Sequence, residues 1–199
     1  MASRDNNIDY SKRIITIPNI LSMVRIILIP LFVFLYLNGH IWQSAVVLVV
    51  SGLTDTVDGF IARRFNMISD LGKALDPVAD KLTQAAILVC LGLKFPLMWI
   101  PLGLMVIKEN AGGILGLLTI KKTGNVYGAL WYGKVTTVLL YVVMGLHVVW
   151  PGMPSWLSTG LILLCTAFLV YSMIMYGIRY RNLLKYGTES GQPEDVIEQ

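Results

Sequence analysis

Apolar residues fall in six long runs along the chain, separated by short polar, glycine- or proline-containing segments. Each run is close to the ~20 residues that an α-helix needs to cross the hydrocarbon core of a bilayer. The pattern predicts helices at about residues 17–37, 41–64, 73–93, 97–120, 126–149 and 155–184. We therefore expect an all-α integral membrane protein with six transmembrane helices.

Polar segments border these runs at both ends. Residues 1–13 form a polar N-terminal segment that differs from a signal peptide, because the apolar run behind it is too long for an h-region. The acidic, polar residues 187–199 are expected to be disordered. Residues 1–186 are predicted to form a single membrane-embedded domain.

Composition supports lipid as the main solvent of this chain. Charged residues make up 14% of the 199 residues, and the mean hydropathy is +0.66. Soluble domains carry about 25% charged residues, so an ordinary soluble domain is excluded. Cys90 and Cys165 lie inside apolar runs and are interpreted as small buried hydrophobic residues. We expect membrane lipids, and no nucleic acid, among the partners.

Basic residues predict the orientation in the membrane, because cytoplasmic loops carry an excess of Lys and Arg. In the six-helix arrangement, Lys94 is the one basic loop residue on one side of the membrane. The other side holds Arg4, Lys12, Arg13, Arg63, Arg64, Lys73, Lys121, Lys122, Arg179, Arg181 and Lys185. Both termini and the 63–73 connection are therefore predicted to be cytoplasmic, in a multi-pass protein of the cell membrane.

Four aspartates adjoin the apolar runs of the second and third helices. Asp55 and Asp58 are three residues apart, and Asp76 and Asp80 are four apart, so each pair lies on one helix face. The two helices share a short cytoplasmic connection, and both pairs lie close to it, so we expect the carboxylates to converge. All-oxygen ligation suits Mg²⁺, Mn²⁺ or Ca²⁺. An alternative is that they form interfacial ion pairs with Arg63, Arg64, Lys73 and Lys81.

The residues between the two pairs point to a phosphate-bearing substrate. Gly59 and Ala62 leave a shallow surface where a flat ligand could approach the backbone. Arg63 offers a forked donor that matches phosphate geometry. Carboxylates, small residues and a guanidinium together indicate a metal-bound diphosphate. A cation or proton transporter, the alternative from another class, would explain the aspartates but not these intervening residues.

The chain resembles the CDP-alcohol phosphotransferases, whose signature is filled here as Asp55-x2-Asp58-Gly59-x2-Ala62-Arg63-x8-Gly72-x3-Asp76-x3-Asp80. Within that family, Ile17–Arg25 and Leu75–Lys81 are similar to bacterial phosphatidylglycerophosphate synthases and CDP-diacylglycerol-dependent cardiolipin synthases. The resemblance implies a six-helix catalytic core over 1–186, a site facing the cytoplasm and a homodimer.

The resemblance also implies residue roles. Asp55, Asp58, Asp76 and Asp80 would hold Mg²⁺ or Mn²⁺ at the diphosphate of CDP-diacylglycerol, and Asp80 would be the general base. The nucleotide site would be lined by Asp55, Gly59, Ala62, Arg63 and Gly72, with Asn19 and Arg25 near the phosphates. The implied reaction is an in-line phosphatidyl transfer to an alcohol acceptor, with release of CMP.

The acceptor is expected at Lys108 and Lys134, which we interpret as a basic pocket for an anionic alcohol. The alternative is that Lys108 and Glu109 partly neutralise each other, although neighbouring residues on a helix point apart. Thr136 stands where phosphatidylglycerophosphate synthases usually have a second basic residue, and Gly133-Lys134-x-x-Thr137 is similar to cardiolipin synthases. The positive charge nevertheless favours glycerol 3-phosphate, with phosphatidylglycerol as the alternative.

Small residues recur along the fourth and fifth predicted helices, at Gly112, Gly116, Gly124, Gly128 and Gly133. Such residues let membrane helices approach closely. We therefore expect all five glycines to serve helix packing.

Overall fold

The computed structural model describes residues 16–64, 70–124, 128 and 130–186, without the side chains of 17, 18, 55, 56, 58–63, 70, 71, 73 and 74. Over this described part, the chain consists of six α-helices, one 3-10 turn and short connections, with no strand. The helices are α1 (Ile17–Leu37), α2 (Ile41–Arg64), α3 (Asp70–Lys94), α4 (Trp99–Thr123), α5 (Trp131–Val149) and α6 (Ser155–Tyr186). The 3-10 turn, Pro96–Met98, precedes α4. The prediction of six helices is confirmed.

Among the residues that the structure describes, four stretches are long and apolar enough to cross a bilayer: Asn19–Leu37, Pro96–Thr123, Trp131–Val149 and Ser155–Tyr186. Within α2, the described apolar stretch is shorter, Ile41–Thr54, and Asp55 and Asp58 follow it in the sequence. The first half of α3 likewise carries charged residues. Long apolar helices indicate a membrane protein, whereas six complete spans and the orientation of the termini stay predictions.

The exposed surface also fits a lipid environment. Large apolar side chains stand exposed on all six helices, among them Ile27, Trp42, Leu93, Leu117, Val138 and Trp156. A soluble monomer rarely exposes such extensive apolar surface, because water makes it costly.

Contacts divide the chain into two compact units, residues 1–90 and 91–199, with the boundary inside α3. In the first unit α1 packs against α2. Thr16 caps α1 by accepting a hydrogen bond from the Asn19 N–H at 3.4 Å. Gly39 turns the chain into α2 with a φ of 79°, a left-handed conformation that favours glycine. The single domain predicted for 1–186 stays a prediction.

The second unit is built around α6, which packs against α4 and α5. The buried His147 of α5 joins two helices there: its Nδ1 lies 2.8 Å from the Val143 carbonyl oxygen, and its Nε2 lies 3.0 Å from Ser158 Oγ of α6. The ring of Phe95 meets the imidazole edge-to-face. Both ring nitrogens therefore have structural partners.

The α5 helix begins at Trp131 rather than near residue 126. Gly124 ends α4 in the left-handed conformation, with a φ of 71°. Gly128 and Leu130 are not helical, and both are hydrogen-bonded to side chains of α6. These tertiary hydrogen bonds hold the backbone in a non-helical path, which hydropathy alone does not reveal.

Candidate active site

Asp76 of α3 lies beside a buried guanidinium from α1. Its Oδ1 is 3.3 Å from an Nη of Arg25, whose side chain is only 2% exposed, whereas the Asp76 side chain is 48% exposed. A charge taken out of water in an apolar helix is costly unless it is paired. The ion pair therefore ties α1 to α3 and leaves part of the Asp76 carboxylate accessible.

Asp80 lies one turn further along α3 and is held by its own helix. The Gln84 side-chain amide donates to both carboxylate oxygens, at 3.2 and 3.3 Å, and Lys81 Nζ lies 3.8 Å away. Gln84 is 1% exposed, while Asp80 keeps 26% of its side chain accessible. Gln84 therefore restricts the rotamer of the predicted general base. Its spacing from Asp80, four residues on one helix, was the available sequence signal.

A buried polar stripe runs along α1. Asn19, Ser22 and Arg25 recur every three residues, and each is 2% exposed. This spacing places them on the same helix face. Asn19 and Arg25 were predicted near the phosphates, whereas Ser22 was missed although its spacing matches. The α1 face is therefore polar at the level where Arg25 meets Asp76.

Asp55 and Asp58 lie in the C-terminal half of α2, as predicted, but their side chains are outside the described part. The same holds for Gly59, Ala62 and Arg63, so their convergence on Asp76 and Asp80 stays a prediction, as do their nucleotide and metal roles. Gly72 lies in the first turns of α3. Asp55 and Asp58 belong to α2, Ile41–Arg64.

The described carboxylates suit a hard divalent cation. Asp76 and Asp80 offer carboxylate oxygens with accessible surface. Mg²⁺ and Mn²⁺ prefer oxygen donors of this kind. Among the side chains that the structure describes, no group of three His, Cys, Asp or Glu could hold a metal. The predicted site also includes Asp55 and Asp58, so it stays a prediction.

The predicted acceptor residue Lys108 is paired with its neighbour. Its Nζ lies 3.2 Å from Glu109 Oε1, with the side chains 13% and 36% exposed. The ammonium also lies 5.9 Å from the ring centroid of Tyr176 on α6, within the range of a cation–π contact. The expectation that the two adjacent side chains point apart is thus wrong, because their long stems bend toward each other.

Around Lys134 the side chains differ in exposure. Lys134 is exposed near the start of α5, whereas Thr136 is 1% exposed. The Thr136 hydroxyl donates to the Tyr132 carbonyl oxygen at 2.7 Å. Position 136 is therefore turned into the protein and adds no charge to the surface that carries Lys134.

Tyrosine rings are the feature of this unit that sequence reasoning missed. Tyr176 meets Tyr132 edge-to-face with centroids 4.9 Å apart, and it stacks with Tyr180 at 6.2 Å. Tyr176 and Tyr180 are four residues apart on α6, so they share a face. The spacing was the available signal, although it also fits a lipid-facing helix.

The glycines of this unit divide into two groups. A Cβ at Gly133 would lie 2.5 Å from the Tyr176 hydroxyl, and one at Gly116 would lie 3.5 Å from the Tyr180 hydroxyl, so both serve close packing. Gly112 and Gly128 have no described atom within 4 Å of such a Cβ, and Gly124 is the cap of α4. Packing at Gly112 and Gly128 therefore stays a prediction, and Gly124 instead supplies the left-handed residue that ends α4.

The chain is similar to proteins of phospholipid synthesis. The family model described as CDP-alcohol phosphatidyltransferase matches residues 15–176. A putative cardiolipin synthase of Mycobacterium tuberculosis is 34% identical over 168 residues, covering 82% of this chain and 78% of that protein. A CDP-diacylglycerol–glycerol-3-phosphate 3-phosphatidyltransferase of Salmonella typhimurium is 30% identical over 168 residues, covering 80% and 92%. The cardiolipin synthase (CMP-forming) of Streptomyces coelicolor is 46% identical over 84 residues, covering 39% of each chain.

Proposed function

Because the chain belongs to the CDP-alcohol phosphatidyltransferase family, we propose that it transfers the phosphatidyl group of CDP-diacylglycerol to phosphatidylglycerol, forming cardiolipin and CMP. Phosphatidyl transfer follows from the family. The acceptor is the proposal, and the observation that carries it is the 3.2 Å pair between Lys108 and Glu109.

The charge on the acceptor decides between the two candidates. A phosphate monoester such as glycerol 3-phosphate carries about −1.5 to −2 at neutral pH, whereas the phosphodiester of phosphatidylglycerol carries a single negative charge. Glu109 offsets much of the charge on Lys108, and the buried Thr136 supplies none. This balance fits the singly charged acceptor better, and it reverses the preference drawn from the lysine count alone. The relatives named cardiolipin synthase are consistent with it.

Glycerol 3-phosphate is the second candidate. Lys121 and Lys134 are exposed and would attract a more highly charged acceptor. The relative from Salmonella is named for this acceptor and matches most of the chain.

The donor half of the reaction rests on the aspartates. Asp55, Asp58, Asp76 and Asp80 would hold Mg²⁺ or Mn²⁺, which when bound would polarise the phosphoryl group and stabilise the leaving CMP. We propose that Asp80, oriented by Gln84, accepts the proton of the acceptor hydroxyl. The acceptor oxygen then forms its bond to the phosphatidyl phosphorus while the bond to CMP breaks.

The donor site also involves Arg25 and the residues predicted to bind the nucleotide. Arg25 holds the Asp76 carboxylate in place. The nucleotide would be bound by Asn19, Asp55, Gly59, Ala62, Arg63 and Gly72. We further propose one domain over 1–186 with six spans, a cytoplasmic site in the cell membrane and a homodimer.

An acceptor panel tests the function. Purified protein in vesicles with CDP-diacylglycerol and Mg²⁺ is offered phosphatidylglycerol or glycerol 3-phosphate, and CMP and the lipid products are measured. We expect cardiolipin with phosphatidylglycerol and little product with glycerol 3-phosphate. The reverse product pattern would support the second candidate instead. If CMP is released with neither phosphatidylglycerol nor glycerol 3-phosphate, both candidates are rejected.

A further inference from the structure

One side chain of α6 contacts both predicted acceptor regions. The Tyr176 ring centroid lies 5.9 Å from Lys108 Nζ of α4. The Tyr176 hydroxyl oxygen accepts a hydrogen bond at 3.2 Å from the Leu130 N–H, at the residue that precedes α5. The same hydroxyl lies against Gly133, the neighbour of Lys134. Tyr176 therefore links a basic residue of α4 to the start of the helix that carries the other.

Gly133 shows how close this contact is. A Cβ at this position would lie 2.5 Å from the Tyr176 hydroxyl oxygen, 3.1 Å from Cε2 and 3.2 Å from Cζ. The first distance is shorter than real Cβ contacts allow, so a larger residue would displace the tyrosine or α5. Glycine is thus favoured here by the approach of Tyr176 rather than by an unusual backbone angle.

Other hydrogen bonds from α6 reach the same connection. An Nη of Arg179 donates to the Gly128 carbonyl oxygen at 2.8 Å, three residues along α6 from Tyr176. On the α4 side, Lys122 Nζ donates to the Leu184 carbonyl oxygen. The C-terminal half of α6 therefore holds both sides of the segment between α4 and α5.

From these contacts we propose that Tyr176 is a positioning residue for the acceptor, whose hydroxyl sets where α5 begins and whose ring supports Lys108. The inference rests on the proposed function, in which Lys108 and Lys134 face the acceptor. Lys134 lies four residues after Leu130, so a shift of the first turn of α5 moves its ammonium. A cation over a tyrosine face gains electrostatic stabilisation, which restricts Lys108 in the same way.

Tyr176→Phe removes the hydroxyl and keeps the ring. We expect the KM of the acceptor to rise about fivefold, the size of effect that the loss of one hydrogen bond produces, while the KM of CDP-diacylglycerol stays unchanged. Tyr171→Phe is the matched control, because Tyr171 lies exposed on the same helix and its contact is made by the ring. An unchanged acceptor KM in Tyr176→Phe, or an equal rise for both substrates, would overturn the inference.

A double-mutant cycle tests the contact itself. In the wild-type background, Gly133→Ala should lower both the thermal midpoint and the turnover of the acceptor. In the Tyr176→Phe background both losses should be much smaller, because the hydroxyl oxygen nearest to the new Cβ is absent. Gly112→Ala serves as the control, since the described structure leaves space for its Cβ. Equal losses in both backgrounds would contradict the proposed contact.

The two proposals fail in different ways. The kinetics are measured with both phosphatidylglycerol and glycerol 3-phosphate, so a wrong choice of acceptor does not affect the test of Tyr176. Wild-type protein that turns over neither acceptor would reject the function and, with it, the inference. Wild-type turnover together with an unaltered Tyr176→Phe would reject only the inference.

Discussion

The two units of the chain hold their charges in different ways. In the first, Arg25 of α1 pairs with Asp76 of α3, and Asp80 is held by Gln84 one turn away. In the second, Lys108 is paired with the residue next to it and supported by an aromatic ring. The first arrangement leaves two carboxylates partly accessible, whereas in the second the charge of Lys108 is offset by Glu109. In the proposed function, the donor side therefore relies on accessible carboxylates, whereas the acceptor side relies on a lysine whose charge is partly offset.

The largest effect is expected from a substitution on the donor side. Asp80→Asn keeps the shape of the side chain but removes a proton acceptor, so CMP release should fall by about 10²- to 10⁴-fold, the usual contribution of a general base. Val78→Ala, at an exposed apolar position of α3, is the control. CMP release within threefold of wild type would remove Asp80 from the proposed role.

Arg25→Ala should produce the next largest effect. It leaves the Asp76 carboxylate without its buried partner, which destabilises α1 against α3 by roughly 1–3 kcal/mol, less than for a fully buried pair because Asp76 is 48% exposed. A lower apparent Tm in detergent and reduced activity are expected. Arg181→Ala, at an exposed position of α6, controls for the lost charge. An unchanged Tm would mean that the ion pair contributes no stability.

Gln84→Met tests the orientation of Asp80. The substitution keeps a similar volume but removes the amide that donates to both carboxylate oxygens. We expect kcat to fall about tenfold with both KM values unchanged, since the base is present but less well oriented. Thr83→Val is the control, at a neighbouring buried position whose hydroxyl donates to the Ala79 carbonyl oxygen of the same helix. A change in KM alone would assign Gln84 to substrate binding.

Glu109→Gln sharpens the comparison on the acceptor side and should have the smallest effect. Without the carboxylate, the charge of Lys108 is no longer offset, so use of glycerol 3-phosphate relative to phosphatidylglycerol should rise about threefold to fivefold, the size expected for a partly exposed ion pair. Asn110→Ala on the same helix changes no charge and should leave the ratio unaltered. A constant ratio in Glu109→Gln would show that the pair does not select the acceptor.

Hydropathy and residue spacing by themselves determined most of the architecture and the family. Apolar runs predicted all six helices, because helix formation in lipid follows from the need to satisfy backbone hydrogen bonds within each segment. The i, i+3 and i, i+4 spacing of the aspartates placed each pair on one helix face. The family and its phosphatidyl transfer followed from the resemblance of the whole signature, and the family match confirms them.

Only the tertiary structure decided which side chains meet across helices. It paired Arg25 with Asp76, placed Tyr176 against Gly133 and Leu130, and delayed the start of α5 to Trp131. It also joined Lys108 to Glu109 through the choice of side-chain rotamers. These features depend on contacts between residues far apart in sequence, or on rotamers that packing selects, so no local pattern contains them.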